Sequence, residues 1–165
     1  MESLENTNSI ASQCEQYDIT EYSLKIPVPL QYKNISLEER TEIFKNIVYM
    51  ELEKYMESDE YAKNNKQLYL DTIAYELGEI IGCNTQDYFL LNYELIKRGK
   101  ELGGVLTKTS RGSASCFLVN MLLAFTAMDR LQFNLPLLPE RFLTKERILS
   151  AKTPPDELTS SIIEK

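Results

Sequence analysis

Three successive stretches between residues 36 and 104 carry apolar residues at helical spacing, and each is bounded by residues that begin or end helices. The first begins with Ser-Leu-Glu-Glu, in which Ser36 as N-cap and Glu39 three residues later have the form of a capping box. A chain with this spacing buries its apolar side chains by packing helices against one another. The pattern therefore predicts a mainly helical protein.

The same signals predict the second and third helices. The second runs from about residue 66 to 81, with Gly82 suited to its C-terminal cap. The third is capped by Asn84 or Thr85 and is stopped by the Gly-Gly pair at 103–104. The residues predicted to face the core are Ile43, Ile47, Met50 and Tyr55 in the first helix, Leu70, Ile73, Leu77 and Ile80 in the second, and Tyr88, Leu91, Leu95 and Ile96 in the third.

The segments on either side are less regular. Residues 8–16 are predicted to form a short helix, which an extended connector follows, because Pro27 and Pro29 forbid a continuing helix. Residues 105–107, Val-Leu-Thr, are short and β-branched and are a candidate strand. Residues 141–149 are predicted to hold one turn or an edge strand.

A fourth helix is predicted from about Gly112 to Ala124, and its almost wholly apolar sequence indicates burial on all sides. The predicted fold class is α+β, mainly α-helical with a small β-sheet. We divide the chain into an N-terminal helix with its connector (1–35), a helical connector (36–83) and a third unit (84–165).

Charge is distributed unevenly along the chain. Residues 1–95 carry 7 basic and 18 acidic side chains, whereas residues 96–147 carry 9 basic and 4 acidic ones. The second segment is therefore a candidate anion-facing surface. Its basic residues are Lys97, Arg98, Lys100, Lys108, Arg111, Arg130, Arg141, Lys145 and Arg147. The first three also suit the C-terminal end of their helix, where cations are favoured, and this alternative stays open for them.

Residues 107–117, Thr-Lys-Thr-Ser-Arg-Gly-Ser-Ala-Ser-Cys-Phe, lie inside this basic segment. Small residues before an apolar run are what an ordinary helix start requires. They also suit a loop that presents backbone amides to an anion, with Arg111 as a bidentate clamp and Gly112 allowing close approach. Both interpretations fit the residues. The loop lacks the Walker pattern Gly-x-x-x-x-Gly-Lys-Ser/Thr.

Several classes of site are disfavoured by composition. The chain has three cysteines and no histidine, so reduced thiols that fill space in the core are expected rather than disulfides or a zinc site. No apolar run approaches the ~20 residues that cross a bilayer, and the acidic first ten residues do not resemble a signal peptide. We expect a cytoplasmic protein with no membrane partner.

The order of motifs from about Tyr69 to Asp156 resembles the alpha subunit of bacterial DNA polymerase III, the C-family replicative DNA polymerase. The resemblance rests on Tyr-Phe-Leu at 88–90, Thr-Ser-Arg-Gly-Ser at 109–113 before an apolar run, Glu-Arg-Phe-Leu at 140–143 and Pro-Pro-Asp at 154–156, in that order. Residues 6–19 resemble the end of that family's PHP domain more weakly. The resemblance implies a partial nucleotidyltransferase palm similar to the polymerase-β superfamily.

The resemblance also implies a site for the triphosphate of an incoming deoxynucleoside triphosphate (dNTP). The implied nucleotide-binding residues are Lys108, Ser110, Arg111, Gly112, Ser113, Arg141 and Arg147. Arg141 and Arg147 have a second interpretation, in which each stabilises the fold through a carboxylate such as Glu140 or Glu146. Primer-template DNA and other polymerase domains are the partners implied, and self-association of the isolated chain is expected.

Two-metal phosphoryl transfer requires at least two carboxylates that converge on Mg²⁺ ions ~4 Å apart. Asp156 matches the first acidic position of the family's Pro-Asp-x-Asp motif and is the candidate catalytic, metal-binding residue, but Leu158 stands at the second. The Mg²⁺ site is therefore expected to be incomplete and the chain alone to be inactive as a polymerase. The alternative function is a non-catalytic descendant that acts as a helical module binding protein or nucleic acid.

Overall fold

The structure is a computed structural model that describes residues 2–13, 26–105, 112–135, 137–146 and 148. Its α-helices are α1 (Glu2–Ser12), α2 (Leu37–Ser58), α3 (Glu60–Asn64), α4 (Lys66–Gly82), α5 (Gln86–Glu101) and α6 (Leu118–Leu122). Single turns of 3-10 helix cover Leu30–Tyr32, Ser113–Cys116, Arg130–Gln132 and Pro139–Arg141. Helix α2 packs against α3, α4, α5 and α6, so it is the central element of the bundle.

The prediction of a small β-sheet is wrong. Within the described ranges every regular element is helical, and the fold there is all-α. Val105, the first residue of the candidate strand, is 92% exposed, and the other two residues of that strand lie outside the described part of the chain. A strand is stable only beside a second strand that completes its hydrogen bonds, and the described residues supply none. Near the end of this part, Ile148 N–H donates to the Thr144 carbonyl, which is helical pairing and not an edge strand.

Helix α2 begins as predicted. The Glu39 amide donates to Ser36 Oγ and the Ser36 amide donates to Glu39 Oε2, both at 3.2 Å, which completes the capping box. Its buried face is rotated from the predicted one. Phe44, Val48 and Leu52 are fully buried, whereas Met50 is 42% exposed. The apolar positions of α2 form two adjacent stripes, and packing against four other helices buries the stripe centred on Phe44.

The end of α4 differs from the prediction in one residue. Gly82 is the last helical residue, and Asn84 is the one that adopts a left-handed conformation, with φ of 54°. The Thr85 amide then donates to the Ile80 carbonyl at 3.1 Å and closes the helix end. Gly82 lies against the end of the flexible Lys145 side chain, which would have to move if a larger residue replaced the glycine. The stop after α5 is confirmed, with Gly103 at φ of 83°.

Aromatic rings connect the helices to the second half of the chain. Phe89 on α5 lies 5.7 Å from Phe44, 6.1 Å from Phe125 and 6.3 Å from Phe142, measured between ring centroids. Phe117 contacts Phe142 edge-on at 5.0 Å. These rings belong to one hydrophobic core, to which described residues on α2, on α5 and after Gly112 all contribute.

Two further predictions concern cysteines and membranes. Cys83 and Cys116 are buried in the core, as expected for residues that fill space there, and Cys14 lies outside the described residues. No helix in the described part of the chain has the length and apolar character needed to cross a bilayer.

Candidate phosphate-binding turn

The predicted fourth helix is divided in two. Residues Ser113–Cys116 form a 3-10 turn, Phe117 is extended with φ of −111° and ψ of 130°, and α6 then covers only Leu118–Leu122. The prediction of one continuous helix from Gly112 to Ala124 is therefore wrong. The extended conformation of Phe117 places its fully buried ring against Phe142, and this contact interrupts the helix.

Two turns meet at the surface beside this break. The turn Ser113–Cys116 packs against the turn Pro139–Arg141, and the contact between Phe117 and Phe142 lies directly after both turns in sequence. The structure therefore places Gly112 and Ser113 next to the segment that carries Arg141. Gly112 and Arg141 are exposed and Ser113 is partly exposed, so all three are accessible from solvent.

Gly112 has a backbone conformation that favours glycine. Its φ of 75° and ψ of −163° lie in a region that residues with a side chain rarely adopt. The Ser115 hydroxyl donates to the Gly112 carbonyl at 3.2 Å and fixes the turn. The sequence signal for glycine at this position thus has a conformational cause, whatever the turn binds.

Glu140, the residue before Arg141, is an acidic neighbour of the site, and its carboxylate lies near the Tyr75 hydroxyl of α4. Burial raises the pKa of the Tyr75 hydroxyl above its usual value, and the nearby carboxylate of Glu140 raises it further. Lys145 also contacts α4, where its amide donates to Glu79 Oε2 at 2.8 Å. Both flanking charged residues are therefore engaged with α4.

The start of α6 is occupied by a side chain of the protein itself. The Leu118 amide donates to Glu76 Oε1 and the Val119 amide donates to Glu76 Oε2, both at 2.9 Å. Arg130 donates to Glu76 Oε1 from Nε at 2.9 Å and from Nη2 at 2.8 Å. The entrance of the apolar helix therefore already holds an anion, and any ligand would meet the preceding turn instead.

Glu76 was missed by the sequence reasoning, and Arg130 was assigned to the wrong environment. Glu76 is 0% exposed, and Arg130, grouped with the anion-facing basic residues, pairs inward with it. Burial raises the pKa of the Glu76 carboxyl, while Arg130 and the two amides act in the opposite direction. A detectable signal was present, because Glu76 lies between Ile73 and Ile80 on the apolar face of α4.

A second polar cluster holds the segment after α6. Asp129 Oδ2 accepts hydrogen bonds from the hydroxyls of Tyr55 on α2 and Tyr69 on α4, and from Gln132 Nε2 at 3.0 Å. Burial, followed by the Asp129 carboxylate, raises the pKa of both tyrosine hydroxyls. The cluster stabilises the path of the chain between α6 and the Pro139–Arg141 turn.

The remaining predicted site residues lie outside the described part of the chain: Lys108, Ser110, Arg111, Arg147 and Asp156. Among the described residues, no group of three or more acidic, cysteine or histidine side chains converges as a metal site. On α5, Arg98 pairs with Glu101 at 2.9 Å near the helix end. The described residues therefore offer surface turns and basic groups but no metal-binding set.

Comparisons with known proteins agree with one another on the family that this chain resembles. Residues 42–156 match the family described as "Bacterial DNA polymerase III alpha NTPase domain". A protein named DNA polymerase III subunit alpha from Borreliella burgdorferi is 31% identical over 151 residues, which are 89% of this chain and 12% of that protein. Its namesake from Staphylococcus aureus strain Mu50 is 39% identical over 84 residues, which are 51% of this chain and 8% of that protein.

The chain thus spans a small part of the length of these curated relatives, 12% in one case and 8% in the other. No solved structure matches it. The family match begins within α2 and includes both turns of the candidate site.

Proposed function

The chain belongs to the bacterial DNA polymerase III alpha NTPase-domain family, and on this basis we propose that its two adjacent surface turns bind the triphosphate of an incoming dNTP. Gly112 and Ser113 supply backbone and a hydroxyl, and Arg141 supplies a permanent positive charge. The observation that carries the proposal is the packing of the Ser113–Cys116 turn against the Pro139–Arg141 turn. Lys108, Ser110, Arg111 and Arg147 complete the proposed set from sequence alone.

Magnesium enters the proposal only as the counter-ion of the nucleotide. The one candidate ligand, Asp156, lies outside the described residues, and Leu158 stands where a second acid would be needed. We therefore assign no catalytic step to this chain, and we expect primer extension by the chain alone to be undetectable. Measurable template-directed extension would contradict this part of the proposal.

The binding proposal is tested by titrating the ¹⁵N-labelled protein with dATP and Mg²⁺. In the wild type, the Gly112 and Ser113 amide signals should shift. In Arg141→Ala, the free energy of dATP binding should weaken by about 1.5 to 3 kcal/mol, which is the loss expected for a charge-assisted contact. Arg98→Ala is the matched control, because it removes another exposed arginine, which lies on α5 and pairs with Glu101. An unchanged spectrum at millimolar dATP would refute nucleotide binding, and unchanged affinity in folded Arg141→Ala would remove Arg141 from the site.

A second candidate function is a non-catalytic module that binds protein or nucleic acid through the retained helices. Leu158 favours it, because an apolar residue at an acidic position fits a protein without phosphoryl-transfer chemistry. The same sample distinguishes the two. Shifts on addition of a short primer-template duplex, with none on addition of dATP, would favour the module.

A further inference from the structure

Helix α6 has no cap of its own. Its N-cap residue is Phe117, which has no side-chain acceptor, and the helix is only five residues long. The first amides of such a helix need an acceptor because they have no carbonyl partner within it. The carboxylate of Glu76 supplies one oxygen to each of the first two amides, from a helix that is distant in sequence.

The carboxylate is held as an anion by several donors at once. Four N–H groups point at its two oxygens, two from the backbone of α6 and two from the Arg130 guanidinium. Glu76 is fully buried and the Arg130 side chain is 12% exposed, so bulk water does not replace these bonds. Both partners also lie at fixed points of the fold, one on α4 and one at the turn Arg130–Gln132.

One side chain of α6 forms a hydrogen bond to the turn of the candidate site. Asn120 is fully buried on α6, and its Nδ2 donates to the Ala114 carbonyl at 2.8 Å. Ala114 lies in the middle of the turn Ser113–Cys116. A continuous path of hydrogen bonds therefore runs from Glu76 through α6 and Asn120 to this turn.

We propose that Glu76 is a positioning residue for the phosphate-binding turn, acting as the built-in anion that fixes α6 and, through Asn120, the Ser113–Cys116 turn. The effect on nucleotide affinity rests on the proposed function, whereas the effect on the turn does not. Neutralising Glu76 leaves the two amides and Arg130 without their shared anion, so α6 loosens and the turn loses the support of Asn120.

The test compares Glu76→Gln with Leu77→Ala. Glu76→Gln keeps the size of the side chain and removes its charge, whereas Leu77→Ala opens a cavity one position away on the same helix and leaves the Glu76 carboxylate with its hydrogen-bond partners on α6. Amide hydrogen exchange is measured residue by residue in both variants at a temperature where each is fully folded by circular dichroism. Affinity for dATP with Mg²⁺ is measured on the same samples.

In Glu76→Gln, exchange at Leu118, Val119 and the turn 113–116 should accelerate at least about tenfold, and dATP affinity should fall by a similar factor. In Leu77→Ala, we divide the exchange rate of the turn 113–116 by the exchange rate of α4. This ratio should stay near its wild-type value. Equal acceleration of the turn in the two variants would overturn the proposal, since it would show general destabilisation only. Unchanged exchange at the turn in Glu76→Gln would also overturn it.

The outcomes separate this inference from the proposed function. If the wild type does not bind dATP, the proposed function fails, and the exchange rates of the turn still decide the role of Glu76. If Glu76→Gln does not fold, Arg130→Gln serves in its place, because it weakens the anion's support while leaving both amides bonded to Glu76. In Arg130→Gln, exchange at the turn should then accelerate by less than about tenfold. An unchanged exchange rate at the turn would contradict the proposal.

Discussion

Helices α2 and α6 both begin at a carboxylate, but the carboxylates come from different places. The cap of α2 is formed by Ser36 and Glu39, three residues apart. The cap of α6 comes from Glu76, which is 42 and 43 positions from the amides it accepts. A local cap specifies its helix wherever the segment is placed, whereas a distant cap forms only once the other helices have packed. The start of α2 is therefore encoded locally, whereas the start of α6 depends on the packing of α4 beside it.

The strongest test of this comparison is Glu76→Ala. It removes the distant cap and leaves the Arg130 charge buried without its partner, so we expect the free energy of unfolding to fall by about 3 to 5 kcal/mol. Urea denaturation followed by circular dichroism measures the loss. A loss below about 1 kcal/mol, the size expected for an exposed ion pair, would show that the buried pair does not hold the two regions together.

The next largest effect is expected at the second contact between the regions. Asp129→Ala leaves the hydroxyls of Tyr55 and Tyr69 without their acceptor, and each buried unsatisfied group costs about 1 to 3 kcal/mol. Tyr69→Phe is the control, since it removes one donor and leaves Asp129 bonded to Tyr55 and Gln132. Thermal unfolding should rank wild type, Tyr69→Phe and Asp129→Ala in decreasing stability, and equal melting temperatures for wild type and Asp129→Ala would contradict the account.

Loss of the local cap should cost less than loss of the distant one. Ser36→Ala removes the side-chain acceptor of the Glu39 amide, and we expect a loss of about 1 kcal/mol in the free energy of unfolding. Exchange should accelerate in the first turn of α2 and stay unchanged at residues 113–116. If Ser36→Ala destabilises the protein more than Glu76→Ala, the order of the two caps is the reverse of our interpretation.

The smallest expected effect is a gain. Ala124, two residues after the end of α6, has a left-handed conformation with φ of 64°. The next amide, that of Phe125, donates to the Asn120 carbonyl at 2.8 Å. Because glycine adopts this conformation without strain, Ala124→Gly should stabilise the protein by about 0.5 to 1 kcal/mol. The same substitution at Ala74, exposed within α4, should destabilise it by about 1 kcal/mol. Destabilisation by both variants in parallel urea titrations would show that α6 does not require this conformation.

The sequence allowed prediction of those elements whose signals lie close together. The capping box at Ser36, the helices α4 and α5 and the stop at Gly103 were predicted from neighbouring residues and are present. The small sheet was wrong because Val105 is a β-branched residue without a partner strand in the described part of the chain. The continuous fourth helix was wrong because its interruption at Phe117 depends on Phe142, which is distant in sequence.

The candidate site shows the same division. Gly112, Ser113 and Arg141 were selected from the sequence and its resemblance to a family, and the structure places them on adjacent turns, while their binding of a nucleotide stays a prediction. Arg130 was predicted to face an anion at the surface, but it pairs with Glu76 inside the protein. No local pattern distinguishes an arginine that faces solvent from one that meets a buried carboxylate more than fifty residues earlier.

The most direct measurement is residue-level amide exchange in the wild-type protein, with and without saturating dATP and Mg²⁺. If the protein's own carboxylate fills the start of α6 and the preceding turn receives the phosphate, Leu118 and Val119 should exchange slowly in both states, and residues 113–116 should exchange more slowly only with nucleotide. Fast exchange at Leu118 and Val119 that becomes slow on adding nucleotide would show that the ligand, and not Glu76, occupies the helix entrance.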